Sequence, residues 1–380
     1  MKIRNIIFVI PLLLFAVACN KGDNGEQQLV DISNPRQASL EELGADIKVV
    51  PIKEDSSFIL GNIFTAKSYG DMIFLFDDGH RVIHCLKDDG THVCTLDAVG
   101  RSGNEYLDIG TFTYDDANKS LIIFERATTT LKFYDFPSMA KTKEIKLDYY
   151  VNTINWVGGN ILLMVREVSE GVEPALVLYD MDNNVVIKEE KLLREDQADM
   201  VNDLSFTRMG GNEMYLCVSG PSETVYSVKK NVFVPFASFA FKPNSIGNNY
   251  WKGPLNEDRE DEMLEALSEG GHDFAIMSNS FVRKNGNESF YYVSGGFRGS
   301  HEVPEMSLCL IRGGKSEIFN HISVKGTDLH ILPNGVSGKS YFAIIPLSLL
   351  KLDDSLDKAG QKMKELAEEG VENAILFYSF

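Results

Sequence analysis

Short runs of β-branched, aromatic and aliphatic residues recur along this chain, broken by Gly, Asn, Asp and Pro about every 8–12 residues. They group into units of roughly 40–60 residues, the mark of a repeated supersecondary element. The first unit has runs at 62–66, 72–76, 82–86 and 91–96, and the second at 111–114, 121–124, 130–134 and 142–147. The third has 152–157, 161–165, 175–179 and 185–191; the fourth has 204–209, 214–218, 224–228 and 232–241. The fifth has 274–282, 289–294, 306–311 and 315–322. The sixth shows only 330–332, 340–345 and 374–380, and the run IKVVPI at 47–52 is placed to supply its fourth strand. Joining the two chain ends in one sheet removes an exposed edge. The second run of each unit (MIFLF, LIIF, ILLMV, MYLCV, FYYV, YFAII) has no polar face, as a strand between two neighbouring sheets requires. The pattern predicts an all-β, six-bladed β-propeller with four-stranded blades, its last blade closed by the N-terminal strand.

Two helices are expected as insertions. One spans 257–268, after Asn256 as N-cap, with acids in its first turn and a stop at Gly270-Gly271. The other follows the stripe Leu349, Leu352, Leu356, Ala359, Met363, Leu366, whose alternating spacing of three and four residues puts one apolar face against the propeller.

The N-terminus addresses the chain to a compartment. Lys2 and Arg4 precede an apolar run from Ile6 to Ala18, too short for a membrane span but suited to a signal peptide. Ala16-Val17-Ala18-Cys19 resembles the lipobox of bacterial lipoproteins, with Ala16 where Leu is more frequent. The reading is a signal peptide over 1–18, a lipid on Cys19, a flexible polar tether over 19–44 and one propeller domain over 45–380. The expected location is the cell envelope, lipid-anchored to the outer membrane. Only Asp23 and Glu26 are acidic just after the cysteine, so periplasmic face and cell surface both stay open. A formal charge of −18 argues against a nucleic-acid partner, which demands basic patches.

Four cysteines lie beyond Cys19. Cys85 and Cys94 flank Asp88-Asp89-Gly90. A two-residue turn at Asp89-Gly90 would set them opposite each other as a possible disulfide, whereas a three-residue turn would shift the register and part them.

Other motifs carry less chemistry. Gly335-Val336-Ser337-Gly338-Lys339-Ser340 lacks the first glycine of a phosphate loop and reads as a turn. Asp180-Met181-Asp182-Asn183-Asn184 starts like a calcium loop but has Val185 and Lys191 where Gly and Glu are needed. The seven histidines show no paired metal-ligand spacing, although His80, His84 and His92 share one hairpin. No GxSxG elbow occurs, and the residues imply no metal or other cofactor. Tyr250 and Trp251 offer a stacking platform for a glycan, while Trp156 is expected between blades.

Several stretches in order carry a family resemblance: Val49-Val50-Pro51-Ile52, the run MIFLFD at 72–77, Gly100-Arg101-Ser102-Gly103-Asn104-Glu105-Tyr106, Thr224-Val225-Tyr226 before 236–241, and Glu372-Asn373-Ala374-Ile375-Leu376. Through them the chain resembles the six-bladed β-propeller lipoproteins of Bacteroidetes, a TolB-like or NHL-like group, over nearly all of the mature chain. Asn104 and Ala374 depart from that pattern, where Gly and Pro are frequent. The resemblance implies a fold more than an activity. Within its glycine loop, Arg101, Glu105 and Tyr106 either reach over the propeller mouth to a ligand or only shape a tight blade-to-blade crossover.

Two functions follow as expectations. One is a non-catalytic binding or scaffolding module for an envelope protein, peptide or glycan. The other is a propeller enzyme of lyase or lactonase type, with a metal or acid/base site in the central funnel. The inner runs NIFTA, TFTY, NTINWV and LSFTRM offer mainly Thr, Asn and aromatic residues, which favours binding.

Overall fold

The computed structural model describes residues 27–380 apart from 32–33, 57, 210–212, 221–222, 230–231, 243, 246–250, 255, 257, 259–273, 276–278, 286–287, 295–307 and 313–314. Cys19, the signal peptide, Tyr250 and most of the helix expected at 257–268 lie outside the described residues.

The chain is a six-bladed propeller. Blade one is Ile63–Tyr69, Met72–Asp77, Val82–Lys87 and His92–Leu96, from the axis outwards. Blade two is Thr111–Asp115, Ser120–Glu125, Thr130–Asp135 and Ala140–Lys146; blade three is Val151–Gly158, Ile161–Arg166, Ala175–Asp180 and Val185–Lys191. Blade four is Phe206–Met209, Glu213–Val218, Glu223–Lys229 and Val232–Lys242; blade five is Asn279–Asn285, Glu288–Ser294, Leu308–Arg312 and Lys315–Ser323. Blade six has Gly335–Ser337, Ser340–Pro346 and Asn373–Ser379, and Asp46–Pro51 pairs antiparallel with the last of these as its outer strand. The ring is closed by the N-terminal run, with Val50 opposite Ile375 and Val49 opposite Leu376.

Blades pack face to face, and the apolar second strands fill the space between them. Ile73, Phe74 and Leu75 are fully buried, as are Leu121 to Phe124 and Leu162 to Val165. Phe74 joins the cluster shared with blade two, whereas Ile73 and Leu75 join the one shared with blade six. Alternation along one strand thus serves two neighbours, which is why these runs show no polar face.

Three expectations need correction. The stretch from Gln27 to Gly44 is not a flexible tether. Gln27–Asp31 adds a parallel fifth strand to blade four, and Arg36–Ser39 does the same for blade five. Outer strands leave unpaired N–H and C=O groups that an extended segment can satisfy whatever its composition. Val30, Ala38, Leu40 and Leu43 there are buried, while Leu29 points outwards and is exposed. Second, the inner strand of blade six is Gly335–Ser337 rather than 330–332, so the first half of the phosphate-loop-like motif is strand and only Gly338-Lys339 turns. Third, the apolar stripe from Leu349 is α-helical only in its second half, Lys358–Glu368, where the Asp357 carboxylate accepts from the Gly360 amide at 2.7 Å, and Leu349 ends a separate 3-10 turn. Leu352 bridges to Thr327 in extended form, and Asp353 caps the Ser355 amide at 2.6 Å, so the helix cannot begin earlier. Ala359, Met363 and Leu366 bury against the core, and Leu349 stays exposed.

Candidate functional site

Inner strands of neighbouring blades lie too far apart for a backbone ladder, so their buried amides need other partners. Threonines supply them. Thr113 Oγ1 accepts from the Trp156 amide at 2.8 Å, Thr207 Oγ1 from Val282 at 3.3 Å, and Thr111 Oγ1 from Ile154 at 3.5 Å. The Thr-rich inner runs therefore stitch blade two to blade three and blade four to blade five.

Polar groups also fill the axis. Lys67, on the inner strand of blade one, donates to the Phe112 carbonyl at 2.5 Å, the Ile154 carbonyl at 3.4 Å and Asp203 Oδ1 at 2.7 Å. Asp203 precedes the inner strand of blade four and also accepts from Thr111 Oγ1 at 2.9 Å and from Thr153. The side chains of this pair are 8% and 12% exposed. All three ammonium hydrogens have an acceptor within the network, which spans blades one to four. Arg208, towards the far end of the channel, lies 4.8 Å from the Trp156 ring and 5.3 Å from Tyr69, and donates to the Trp156 carbonyl. Lys67, Asp203, Arg208 and Asn334 line a cavity of about 30 Å³, room for a water or two. Among the described residues that line it, three are charged, but two neutralise each other and the third is held by rings and a carbonyl. Sequence reading missed Lys67 and Asp203, because only the fold joins positions 136 apart.

The expected ligand residues separate. Tyr106 is fully buried: its hydroxyl donates to the Arg81 and Leu96 carbonyls at 2.9 and 3.1 Å, and burial pushes its pKa up. It is a core residue, not a ligand contact. Glu105 turns back into its own loop, accepting from the Ser102 amide at 2.7 Å over Gly100, where a Cβ would collide with the carboxylate. Of the three, only Arg101 is exposed. Trp251, expected at the surface, is 4% exposed and packs under the Arg194 guanidinium at 5.0 Å. Trp156 lies between blades as expected, its indole N–H donating to Gly159 at 2.7 Å.

The three histidines of blade one do meet, around the buried Asp77. His80 Nδ1 is 2.7 Å and His84 Nε2 3.8 Å from Asp77 Oδ2, while His84 Nδ1 and His92 Nε2 each lie 2.9 Å from Thr95 Oγ1. Phe58 stacks on His92 at 4.2 Å. Burial would raise Asp77, but hydrogen bonds from His80 and the Gly61 amide hold it below its ordinary value. Burial depresses His84 to about 4. Among the described residues, no group of three His, Cys, Asp or Glu is placed to hold a metal.

One face of the disc stands out. In each antiparallel blade the inner strand starts on the side where the second-to-third-strand loops and blade-to-blade crossovers emerge. Among the described residues, nine of the fifteen exposed large apolar side chains lie on that side. Phe64, Leu349, Ile59 and Leu193 are 67, 68, 60 and 55% exposed, and Leu107, Tyr150, Val168, Leu332 and Leu352 join them. Among the described residues, the hairpins on the opposite side carry only Val185 and Val232, where the outer strands of blades three and four begin. Arg126 lies 5.5 Å over the Tyr150 ring and forks onto Glu167, with one contact at 2.6 Å.

A closed six-bladed propeller with a buried polar network at its axis, and apolar on one face among the described residues, is the class these features define. The sequence profile of a domain of unknown function, DUF4934, matches residues 27–376, and the chain belongs to that family. No curated protein matches it in sequence. Among solved structures it is similar to a putative exported protein from Bacteroides fragilis, with a TM-score of 0.67 at 13% identity over 93% of this chain and 99% of that one. A DUF4221 member from Bacteroides vulgatus gives a TM-score of 0.49 at 9% identity over 88% and 96%. At such identities the first likeness shows the fold alone.

Proposed function

We propose that this chain is a non-catalytic binding module of the cell envelope, and that it holds a protein partner on the apolar face where the inner strands begin. The observation that carries this reading is the one-sided distribution of exposed apolar side chains. An apolar face rimmed by polar residues suits a protein interface. The axial cavity lined by the described residues, about 30 Å³, is too small for an organic substrate and supports binding over catalysis. A glycan is less well served, because Trp156 and Trp251 are both buried. Exposed acids in the same loops (Asp78, Asp148, Glu170, Asp199 and Asp353) and the net charge of −18 fit a partner surface that is apolar with a basic margin. Export and an anchor at Cys19 are supported by the lipobox-like Ala16-Val17-Ala18-Cys19, and the Bacteroides fragilis protein of like fold is itself described as a putative exported protein.

Site-specific photocrosslinking in the native envelope tests this. A crosslinker in place of Phe64 should capture one discrete protein, more weakly at high salt, and Leu193→Glu should abolish the capture. A crosslinker at Asn183, on the opposite face, should capture none. Capture from Asn183 alone, or capture from Phe64 that ignores both Leu193→Glu and salt, would sink the reading.

A further inference from the structure

We propose that Cys85 and Cys94 are an oxidisable pair that closes a disulfide across the third and outer strands of blade one. The geometry comes from two irregularities that cancel. Lys87 N–H donates to the Thr91 carbonyl at 2.9 Å and Gly90 N–H to the Lys87 carbonyl at 3.0 Å, so the turn holds three residues, 88–90. That turn alone would set Cys85 out of step with Cys94. A bulge then omits Val93 from the ladder: Leu86 faces His92, and the next pair is Cys85 facing Cys94, followed by His84–Thr95 and Ile83–Leu96. The two cysteines are thus direct cross-strand partners, where Cβ atoms stand close enough for a disulfide. Both are free thiols in this structure.

The pair is asymmetric in a way that orders the chemistry. Cys85 is fully buried, and Cys94 is partly exposed. Only Cys94 can meet an oxidant, such as a thiol–disulfide oxidoreductase or oxidised glutathione. Its thiolate attacks one sulfur of the oxidant's disulfide, a mixed disulfide forms, and one thiolate leaves. Cys85 then gives up its proton and attacks Cys94 Sγ, and the second thiolate leaves. Two S–H bonds and one S–S bond break, one S–S bond forms in the protein, and the two leaving thiolates take up the two protons. The protein loses two electrons and the oxidant gains them. The neighbouring thiol lowers Cys94, while Cys94 and burial raise Cys85, as suits attacking and resolving roles. Cys217 and Cys309 are buried in blades four and five, away from blade one, and serve as internal controls.

The inference goes beyond the binding reading, and its cellular arm alone rests on export. The purified, reduced full chain is incubated with oxidised glutathione, alkylated before and after reduction, and mapped by peptide mass. The expected result is one crosslinked pair, 85–94, two hydrogens lighter, with Cys217 and Cys309 still thiols. Cys85→Ser should trap glutathione on Cys94, and Cys94→Ser should leave Cys85 unmodified. The wild-type crosslink decides the matter should either variant fail to fold by circular dichroism. Full alkylation of Cys85 and Cys94 in the oxidised, folded wild type would overturn the proposal. Acid-quenched cells should then show the same pair blocked; a pair that closes with glutathione but is free in cells would count against export and leave the site standing.

Discussion

At the scale of single residues, the axis is committed to one buried ion pair. Withdrawing an ion from water costs several kcal/mol, so Lys67 and Asp203 are tolerable only together. Lys67→Met should destabilise the fold by about 3–5 kcal/mol in urea titrations, because it leaves the Asp203 carboxylate uncompensated. The double variant with Asp203→Leu should recover much of that loss; equal destabilisation of single and double variants would mean that packing, not charge, dominates. Sequence reading passed over Lys67, since a lysine one position beyond an apolar run reads as a solvated end. The histidine cluster makes a second prediction, in pH. Burial depresses His84 to about 4 from 6.5; Asp77 opposes that shift, and His92 and His80 assist it. His330 is depressed to about 4 by burial and His321. Each protonates more readily in the unfolded chain, so its contribution is complete above pH 6.5 and is withdrawn as pH falls towards 4. For His84 that amounts to roughly 3 kcal/mol. His80, raised by its bond to Asp77, works in the opposite sense: its share is present below pH 6.5 and fades at higher pH. Urea midpoints should therefore fall from pH 6.5 to 5, and His84→Leu should remove about half of that slope.

At the scale of elements, the blades were legible because each second strand is buried on both faces and each hairpin needs a turn residue, and both demands are local. Four-strand units and the closing run at 47–52 follow from those demands. What was not legible depended on contacts distant in sequence. Gln27–Asp31 and Arg36–Ser39 carry almost no β signal, and only the open edges of blades four and five make strands of them. The closing blade also leans on blade one. Gly90 has φ +79° and lies so close to Pro51 that a Cβ would collide with its carbonyl, while the Lys53 amide donates to the Gly90 carbonyl at 3.3 Å. Removing residues 27–44 should leave the six blades formed by circular dichroism but expose two strand edges and strip Val30, Ala38, Leu40 and Leu43 from the core. A loss of roughly 4–8 kcal/mol is expected as an upper bound, with concentration-dependent aggregation in light scattering. Removing 27–51 should abolish cooperative unfolding, because blade six then lacks its outer strand. A 27–44 deletion as stable and monomeric as the parent would show that these strands are only laid on the rim.

For the whole molecule, the added strands change what an anchor at Cys19 would do. A tether running to residue 44 would let the disc wander far from a bilayer. The first described strand begins at Gln27, eight residues past Cys19, and a chain of that length spans at most about 29 Å. Gln27 pairs with Ser238 on the outer strand of blade four, so the proposed lipid would hold the disc by that rim. The strands of a blade run between the two faces, so attachment at an outer strand keeps both faces clear of the bilayer. The apolar face is then free for a partner rather than pressed into lipid, and it needs no basic residues to meet anionic headgroups. The lipidated chain on vesicles should therefore show a fixed lean. A fluorophore at Val232→Cys, on the outer strand of blade four, should be quenched by nitroxide-labelled headgroups several-fold more than one at Glu144→Cys on blade two, both with Cys94 replaced by Ser. Equal quenching would mean that the disc tumbles freely and that Gln27–Asp31 detaches from blade four when the chain is anchored; strong quenching at Phe64→Cys would place the apolar face on the membrane and overturn the partner reading as well.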